Sequence, residues 1–255
     1  MKSCQLVAAL ALFGVLVASH SPAEEPPDDE VPLCDALMAS VRAQLPRDPL
    51  TLSGELIVRR RRGVVVRKHA FEIDLEWGRN PPRATYTLRD LFGTDLEALT
   101  VEREPGGGMR LSYARGDPLQ PAPIPDLFAP IRKTDLSWTD LTLSFLWWKG
   151  GSVLGMEKIL NFPCYVVRVP APSGSKGAYT HVRLWIHRKM HVLLRAEGYA
   201  GERLVRRLWV KSVKKVKGAD KDDDRWMVKD MEIQSYPARQ RTKLRIHDVA
   251  TKPAT

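Results

Sequence analysis

The sequence is poor in cysteine and has no long hydrophobic run, and each shortage narrows its biology. Three cysteines in 255 residues, Cys4, Cys34 and Cys164, are too few for a disulfide-dense scaffold. The longest stretch without charged or strongly polar side chains, Leu6 to Ala18, holds about 13 residues, whereas a membrane-spanning helix needs roughly 20. No cysteine directly follows that stretch, where a bacterial lipoprotein carries its acylated one. Cys4 precedes it, and Cys34 comes well after it, behind Leu33 where a small residue is wanted. No G-x-S-x-G nucleophile elbow is present, and no glycine-rich phosphate loop follows a strand pattern and opens a helix pattern.

What stands at the start is the pattern of export. A short basic start with Lys2, the apolar run, and small residues Ser21 and Ala23 predict a cleavable secretory signal over residues 1–23, cut before Glu24. An acidic, proline-rich linker follows over 24–32, then a single domain over 33–249 and a disordered tail over 250–255. The expected mature chain is periplasmic, soluble and not lipid-anchored. In that oxidising compartment Cys34 and Cys164 either pair or remain buried thiols. A bridge closing so long a loop would stabilise by roughly 5 kcal/mol, less any strain.

The formal net charge is +10; without Lys2 and the five acids of the linker, residues 31–255 carry about +14. Such a surface attracts anions. Outside the cytoplasm the available partner is an anionic phospholipid surface, and nucleic acid is not expected. The basic runs Arg59 to Arg62 and Lys211 to Lys217 suit hairpin tips and sheet edges.

Leu33, Leu37, Val41 and Leu45 lie four apart and predict one helix of about three turns, stopped by Pro46. From Leu50 the period changes to two. Leu50, Leu52, Leu56 and Val58 share one face, and Phe71, Ile73, Leu75 and Trp77 another, opposite Glu72, Asp74 and Glu76. The alternation returns at 84–88, 99–101 and 109–113, and after a proline-rich break over 117–137 it resumes in six segments between Tyr165 and Val249. About 10–11 antiparallel strands, one helix before them and a short lid helix or loop midway make a mainly β meander. It must curl into a barrel or half-barrel to cover its apolar face.

Candidates for chemistry are weak. His181, His187 and His191 have no neighbouring Cys, Asp or Glu to complete a zinc set, so no metal or cofactor is expected. Asp220, Asp222 and Asp224 imitate a calcium loop, but Arg225 stands where glycine belongs and Met231 where the bidentate Glu belongs. Asp135 and Asp140 could form an acid/base pair, yet each precedes a hydrophobic segment, where turn or cap roles are commoner. The chain does not read as an enzyme.

The densest unusual feature is Asp135-Leu136-Ser137-Trp138-Thr139-Asp140-Leu141-Thr142-Leu143-Ser144-Phe145-Leu146-Trp147-Trp148, with three of the seven tryptophans. Such aromatics serve either as core or as the lining of a cavity for an apolar ligand. This segment, followed by Ile159 to Val167, Val182-Arg183-Leu184-Trp185-Ile186, Leu193 to Glu197 and Trp226 to Ile233, resembles outer-membrane lipoprotein-sorting proteins of the LolA-like superfamily over roughly residues 33–249. The resemblance implies an incomplete, open β-barrel whose mouth is plugged by helices and which holds acyl chains between barrel and lid. Phe71, Trp77, Trp138, Phe145, Leu146, Trp147 and Trp148 are the acyl-cavity candidates. No position matches the lid-locking arginine of the carrier branch.

The expected function is therefore a periplasmic carrier of acylated lipoprotein or lipid cargo, exchanging it between membrane donor and acceptor proteins. The alternative on the same scaffold is an envelope-stress sensor or regulatory interaction protein.

Overall fold

The period-two segments do become sheet. A computed structural model describes residues 32–104, 108–173, 178–216, 225–237 and 240–251. The expected signal and nearly all of the acidic linker, the Asp220 to Asp224 run and the last four residues of the expected tail lie outside these.

Helix α1 (Cys34–Ala43) buries Leu37, Met38 and Val41. Leu33 precedes its first turn and stays 81% exposed, so the apolar stripe starts one turn later than the spacing predicts. The first meander follows: β1 (Leu50–Arg60), β2 (Val65–Glu76), β3 (Arg83–Arg89), β4 (Asp95–Arg103), β5 (Met109–Arg115) and the two-residue β6 (Gln120–Pro121). After a connection containing the one-turn helix α2 (Trp138–Leu141) comes the second meander. It comprises β7 (Ser152–Ile159), β8 (Phe162–Pro170), β9 (His181–His187), β10 (Leu193–Ala200), β11 (Arg203–Val216), β12 (Arg225–Ser235) and β13 (Gln240–Thr251).

All thirteen strands form one sheet in the order β6-β5-β4-β3-β2-β1-β13-β12-β11-β10-β9-β8-β7. The two meanders are joined by the antiparallel pair β1 and β13, which runs from Leu50 opposite Thr251 to Arg60 opposite Gln240. That pairing carries β13 past Val249, where the domain was expected to end. Two strands beyond the predicted eleven are β6, too short to show a period, and β7, whose Ser152-Val153-Leu154-Gly155-Met156 alternates weakly and leaves Leu154 and Met156 exposed.

The sheet does not close, because β6 and β7 end its two edges. Its apolar face is continuous across the seam: Leu52, Leu56 and Val58 of β1, Phe71, Ile73 and Leu75 of β2, Tyr86 and Leu88 of β3, and Leu244 and Ile246 of β13 are all buried. At the Ser53–Gly54 register shift β13 takes an extra residue, and the strands come so close that a Cβ on Gly54 would lie 2.0 Å from the Arg245 carbonyl oxygen and 2.7 Å from Phe71 Cζ. Only glycine fits there, and the bulge helps the wide sheet to bend.

The order of strands also dictates what covers this face. The chain leaves β6 at one edge and must begin β7 at the other, so roughly thirty residues have to cross the sheet. They cross its apolar face, where their own hydrophobic side chains are buried. Among the described residues, no helix is long and apolar enough to cross a membrane.

Candidate ligand-binding site

The crossing segment, residues 126–148, is the plug of the fold. Leu136, Trp138, Leu141, Leu143, Phe145 and Leu146 each expose 4% or less. Its helix α2 starts with a reciprocal cap: Ser137 Oγ accepts from the Asp140 amide, and the Asp140 carboxylate accepts from the Ser137 amide. Leu143, with φ 48°, then breaks the helix in a left-handed turn before the 3₁₀ turn Ser144–Trp147, and Arg132 and Lys133, at φ 47° and 61°, bend the chain on the other side. Such backbone is costly for residues with a Cβ and is held by its surroundings.

Those surroundings are polar ties to every part of the scaffold. Arg206 of β11 donates through Nη1 to Asp140 at 2.5 Å and to the Tyr179 hydroxyl at 3.1 Å, and Tyr179 donates to the other Asp140 oxygen at 2.9 Å. Arg206 and Asp140 are almost fully buried, with side chains 4% and 1% exposed. Burial alone would lower the Arg206 pKa, but the carboxylate and phenol beside it raise it overall, and burial drives the Tyr179 phenol well above its usual value. The Thr242 hydroxyl of β13 donates to the Asp135 carboxylate at 2.8 Å, and the Ser235 amide donates to its other oxygen at 3.2 Å. At the near edge, Arg132 Nε donates to Glu97 of β4 at 2.7 Å, and Tyr113 of β5 donates to the same carboxylate. Arg42 of α1 reaches the Leu146 carbonyl at 2.8 Å. Asp135 and Asp140 are thus anchor points, each occupied by structural bonds. The Arg206 tie across to the plug is the feature that the sequence reading could not place.

The seven aromatic and aliphatic candidates divide into two groups. Phe71, Trp138, Phe145 and Leu146 lie in the packed core between plug and sheet. Trp77, Trp147 and Trp148 are half-buried at the rim: Trp77 and Trp147 stack with centroids 5.4 Å apart, and Trp148 meets Phe145 at 6.3 Å and Phe128 at 6.5 Å. Two cavities adjoin this rim. One of about 490 Å³ opens between Arg103, Met109, Trp147, Trp148, Lys149 and the Pro170–Ser173 turn. Its neighbour, about 270 Å³, lies between Trp77, Trp147, Arg103, Arg42, Leu45 and Arg47. A third, about 290 Å³, lies on the Glu97 side against Trp138, Tyr113 and Ile131. The larger falls within the roughly 300–1,000 Å³ typical of small-molecule sites.

The remaining candidates are not drawn into the site. Cys34 and Cys164 are free thiols. A Cβ built on Gly151 would lie 2.6 Å from Cys34 Sγ, which places that thiol near the Arg168 end of β8. Cys164 lies four residues along the same strand, about 13 Å at strand rise, and its thiol donates to the Phe162 carbonyl. Burial pushes the Cys164 thiol up to about 11. Of the two alternatives for this pair, the structure holds the free thiols. His187 and His191 sit in one turn, joined by the His191 amide donating to the His187 carbonyl, and His181 stacks on Tyr199 at 4.9 Å. Among the described residues no group of three ligating side chains could hold a metal ion.

A family model described as "-like: Uncharacterized protein" matches residues 126–254. A search of curated proteins finds no match. Among solved structures the chain is similar to a DUF1329 family protein from Desulfovibrio piger, with 16% identity, 87% of this chain and 94% of that chain covered, and a TM-score of 0.67. It is similar to a domain assigned as an outer membrane lipoprotein-sorting protein from Vibrio parahaemolyticus, at 14% identity, 86% and 92% coverage and a TM-score of 0.69. A LolA superfamily protein from Nitrosomonas europaea follows, at 11% identity, 88% and 96% coverage and a TM-score of 0.64. At such identities the likeness concerns the fold, and the fold is LolA-like, as the motif resemblance implied.

Proposed function

The chain belongs to the family whose model covers residues 126–254, and we propose that it is a soluble periplasmic carrier that shields the acyl chains of lipoprotein or lipid cargo on their way towards the outer membrane. One observation carries this reading: the apolar face of an open sheet is covered by a connecting segment of the chain itself that joins none of the sheet's ladders, with tryptophan-lined cavities where the two meet.

The magnitudes favour exchange. Burying five plug side chains, Leu136, Leu141, Leu143, Phe145 and Leu146, stabilises the empty state by about 10 kcal/mol before entropy is counted, at roughly 2 kcal/mol each. About a dozen cargo methylenes moved out of water supply a similar amount, at roughly 0.8 kcal/mol each. Neither occupant of the sheet face dominates by far, so cargo can displace the plug and a membrane acceptor can reverse the exchange. The larger cavity serves as the entry, and a cargo with two or three chains needs the plug to withdraw. The basic surface of the mature chain assists approach to anionic bilayers.

The test is native mass spectrometry of protein isolated from its own envelope, together with transfer of an acylated peptide between vesicles. Copurified lipid or lipoprotein and measurable transfer are expected. Protein that is empty and transfers nothing is not a carrier, and a regulatory interaction protein on this scaffold then becomes the better reading. Replacing Trp147 and Trp148 by alanine should weaken acyl binding by the folded protein; an intact affinity with lowered stability would make them core residues only.

A further inference from the structure

We propose that Arg103 is the centre of an anion subsite that takes the phosphate of a lipid head group at the entrance of the Trp147–Trp148 cavity. The lipid half of this proposal rests on the carrier reading; the anion half rests on Arg103 itself.

The inward face of β4 reads Glu97, Leu99, Val101, Arg103, a buried charge at each end of an apolar pair. The two ends are treated differently. Glu97 is bonded by Arg132 and Tyr113. Arg103 is 9% exposed, and its Nε and Nη2 have no hydrogen-bond partner. These two nitrogens form the side-on edge of the guanidinium, the pair of parallel donors that meets two oxygens of a carboxylate or phosphate. Leaving such donors buried and unmet is costly, so a ligand that brings two oxygens to them gains that cost back.

The rest of the setting points to the same occupant. Trp147 covers one face of the guanidinium, its ring centroid 3.9 Å from Cζ, and so fixes the plane of the donors. Arg103 belongs to the wall of both rim cavities, whose other charged residues are Arg42, Arg47 and Lys149, with no carboxylate among the described lining. Burial pulls the Arg103 pKa down to about 10, with the Tyr86 phenol opposing and Arg42 reinforcing the fall, so the group remains a cation at neutral pH. Tyr86 adds a buried hydroxyl without a hydrogen-bond partner. Lys149 stands with Arg103 in the larger cavity and Arg42 and Arg47 in its neighbour, a cationic setting that suits a phosphate, while Trp147 and Trp148 of the larger cavity supply apolar wall for the attached chains. A guanidinium and tryptophan rings side by side in one cavity wall match an amphiphile.

The experiment compares delipidated wild-type protein with Arg103→Met, using tryptophan fluorescence and thermal melting. The probes are dioctanoyl phosphatidylglycerol, dioctanoylglycerol, and inorganic phosphate against chloride at equal ionic strength. Wild type should bind the phospholipid about tenfold more tightly than the neutral diacylglycerol. Arg103→Met should abolish that preference, and its unliganded melting temperature should be unchanged or higher, because a buried unpaired charge has been removed. A melting increase with phosphate that disappears in the variant assigns the anion to Arg103. Equal binding of the two lipids by wild type, or a preference that survives in Arg103→Met, overturns the subsite and leaves the carrier reading standing. Phosphate bound through Arg103 with neither lipid bound keeps the anion site and removes the carrier. If Arg103→Met does not fold, Arg103→Lys keeps the charge but not the side-on donor pair. It should lose the preference severalfold, and an unchanged preference in that folded variant overturns the proposal equally.

Discussion

At the scale of single residues, the buried ions decide how this fold is held. Arg206 and Asp140 sit in a place where water cannot replace a lost partner. Arg206→Met leaves the Asp140 carboxylate buried with only Ser137 and Tyr179, and should cost about 3–5 kcal/mol in urea unfolding. Adding Asp140→Asn to that variant should recover a good part of the loss, since the uncompensated charge goes with it; a double variant no better than the single would mean that shape, not charge, holds the plug. Asp230 gives a pH signature. Burial by itself would raise its pKa, but hydrogen bonds from Arg245, Ser212 and Lys243 together hold the carboxyl at about 2. A depressed folded pKa means that the stabilisation is fully present above the unfolded value near 4 and is lost as pH falls through about 2. The amount is on the order of 2 kcal/mol. Unfolding free energy measured from pH 5 to pH 2 should fall accordingly, and Asp230→Asn should flatten that limb. None of these pairs was legible beforehand: Arg206 stands among many arginines in the sequence, and only the register of β11 against the plug singles it out. The one residue-level signal within reach was parity. Leu99 and Val101 define the inward face of β4, and counting two further in each direction reaches Glu97 and Arg103, both charged on a face that should be apolar.

At the scale of elements, alternation was a reliable guide wherever one side of a strand is dry. The apolar residues expected inside β1, β2, β3 and β4 are buried there, with Ile57 and Thr87 buried on the other parity as well, and α1 is shorter than expected at both ends, without Leu33 and Leu45. Alternation fails at β7, an edge strand with exposed Leu154 and Met156, because neither of its faces is fully buried and nothing selects a phase. The proline-rich break marked a connection, although its helix α2 starts at Trp138, just past the expected end of the break, and its path depends on which edges β6 and β7 occupy, which is information of pairing and not of composition. The aromatic candidates were found by density alone. Density does not separate Trp138 and Phe145, which are buried against the sheet, from Trp77, Trp147 and Trp148, which stay half-buried at the rim cavities; only the burial in the folded chain does. The Tyr179 phenol that ties Asp140 of the plug rests in turn on a glycine. The Tyr179 ring lies so close over Gly198 of β10 that an added Cβ would be 2.4 Å from Cε1. Gly198→Ala should therefore push the phenol off Asp140 and Arg206, lowering the melting temperature by several degrees, on the order of 2 kcal/mol. A variant as stable as wild type would show that Tyr179 can move aside without loosening the plug.

At the scale of the molecule, the topology separates what is permanent from what can leave. Twelve ladders join the thirteen strands into a continuous sheet, with the long β1 and β13 seam at its middle. The plug shares none of those ladders. One isolated bridge between Pro130 and Ser137 folds it back on itself, and it is held to the sheet by its polar ties and by burial. Local opening should therefore be cheaper for the plug than for the seam. Hydrogen exchange can read both at once. In the empty protein the amides of Leu141 and Thr142, which donate to the Ser137 and Trp138 carbonyls, should be protected, though less than those of Leu52 to Val58 in β1. Saturation with acylated peptide should speed exchange at Leu141 and Thr142 by about tenfold or more, equivalent to about 1.4 kcal/mol of lost protection, while β1 remains unchanged or slows. If the plug stays equally protected with cargo bound, the chains do not take its place on the sheet, and binding is confined to the rim cavities between Trp77, Trp147 and Trp148. That outcome would also change the size of acceptable cargo, since about 490 Å³ beside a fixed plug admits far less than the full concave face.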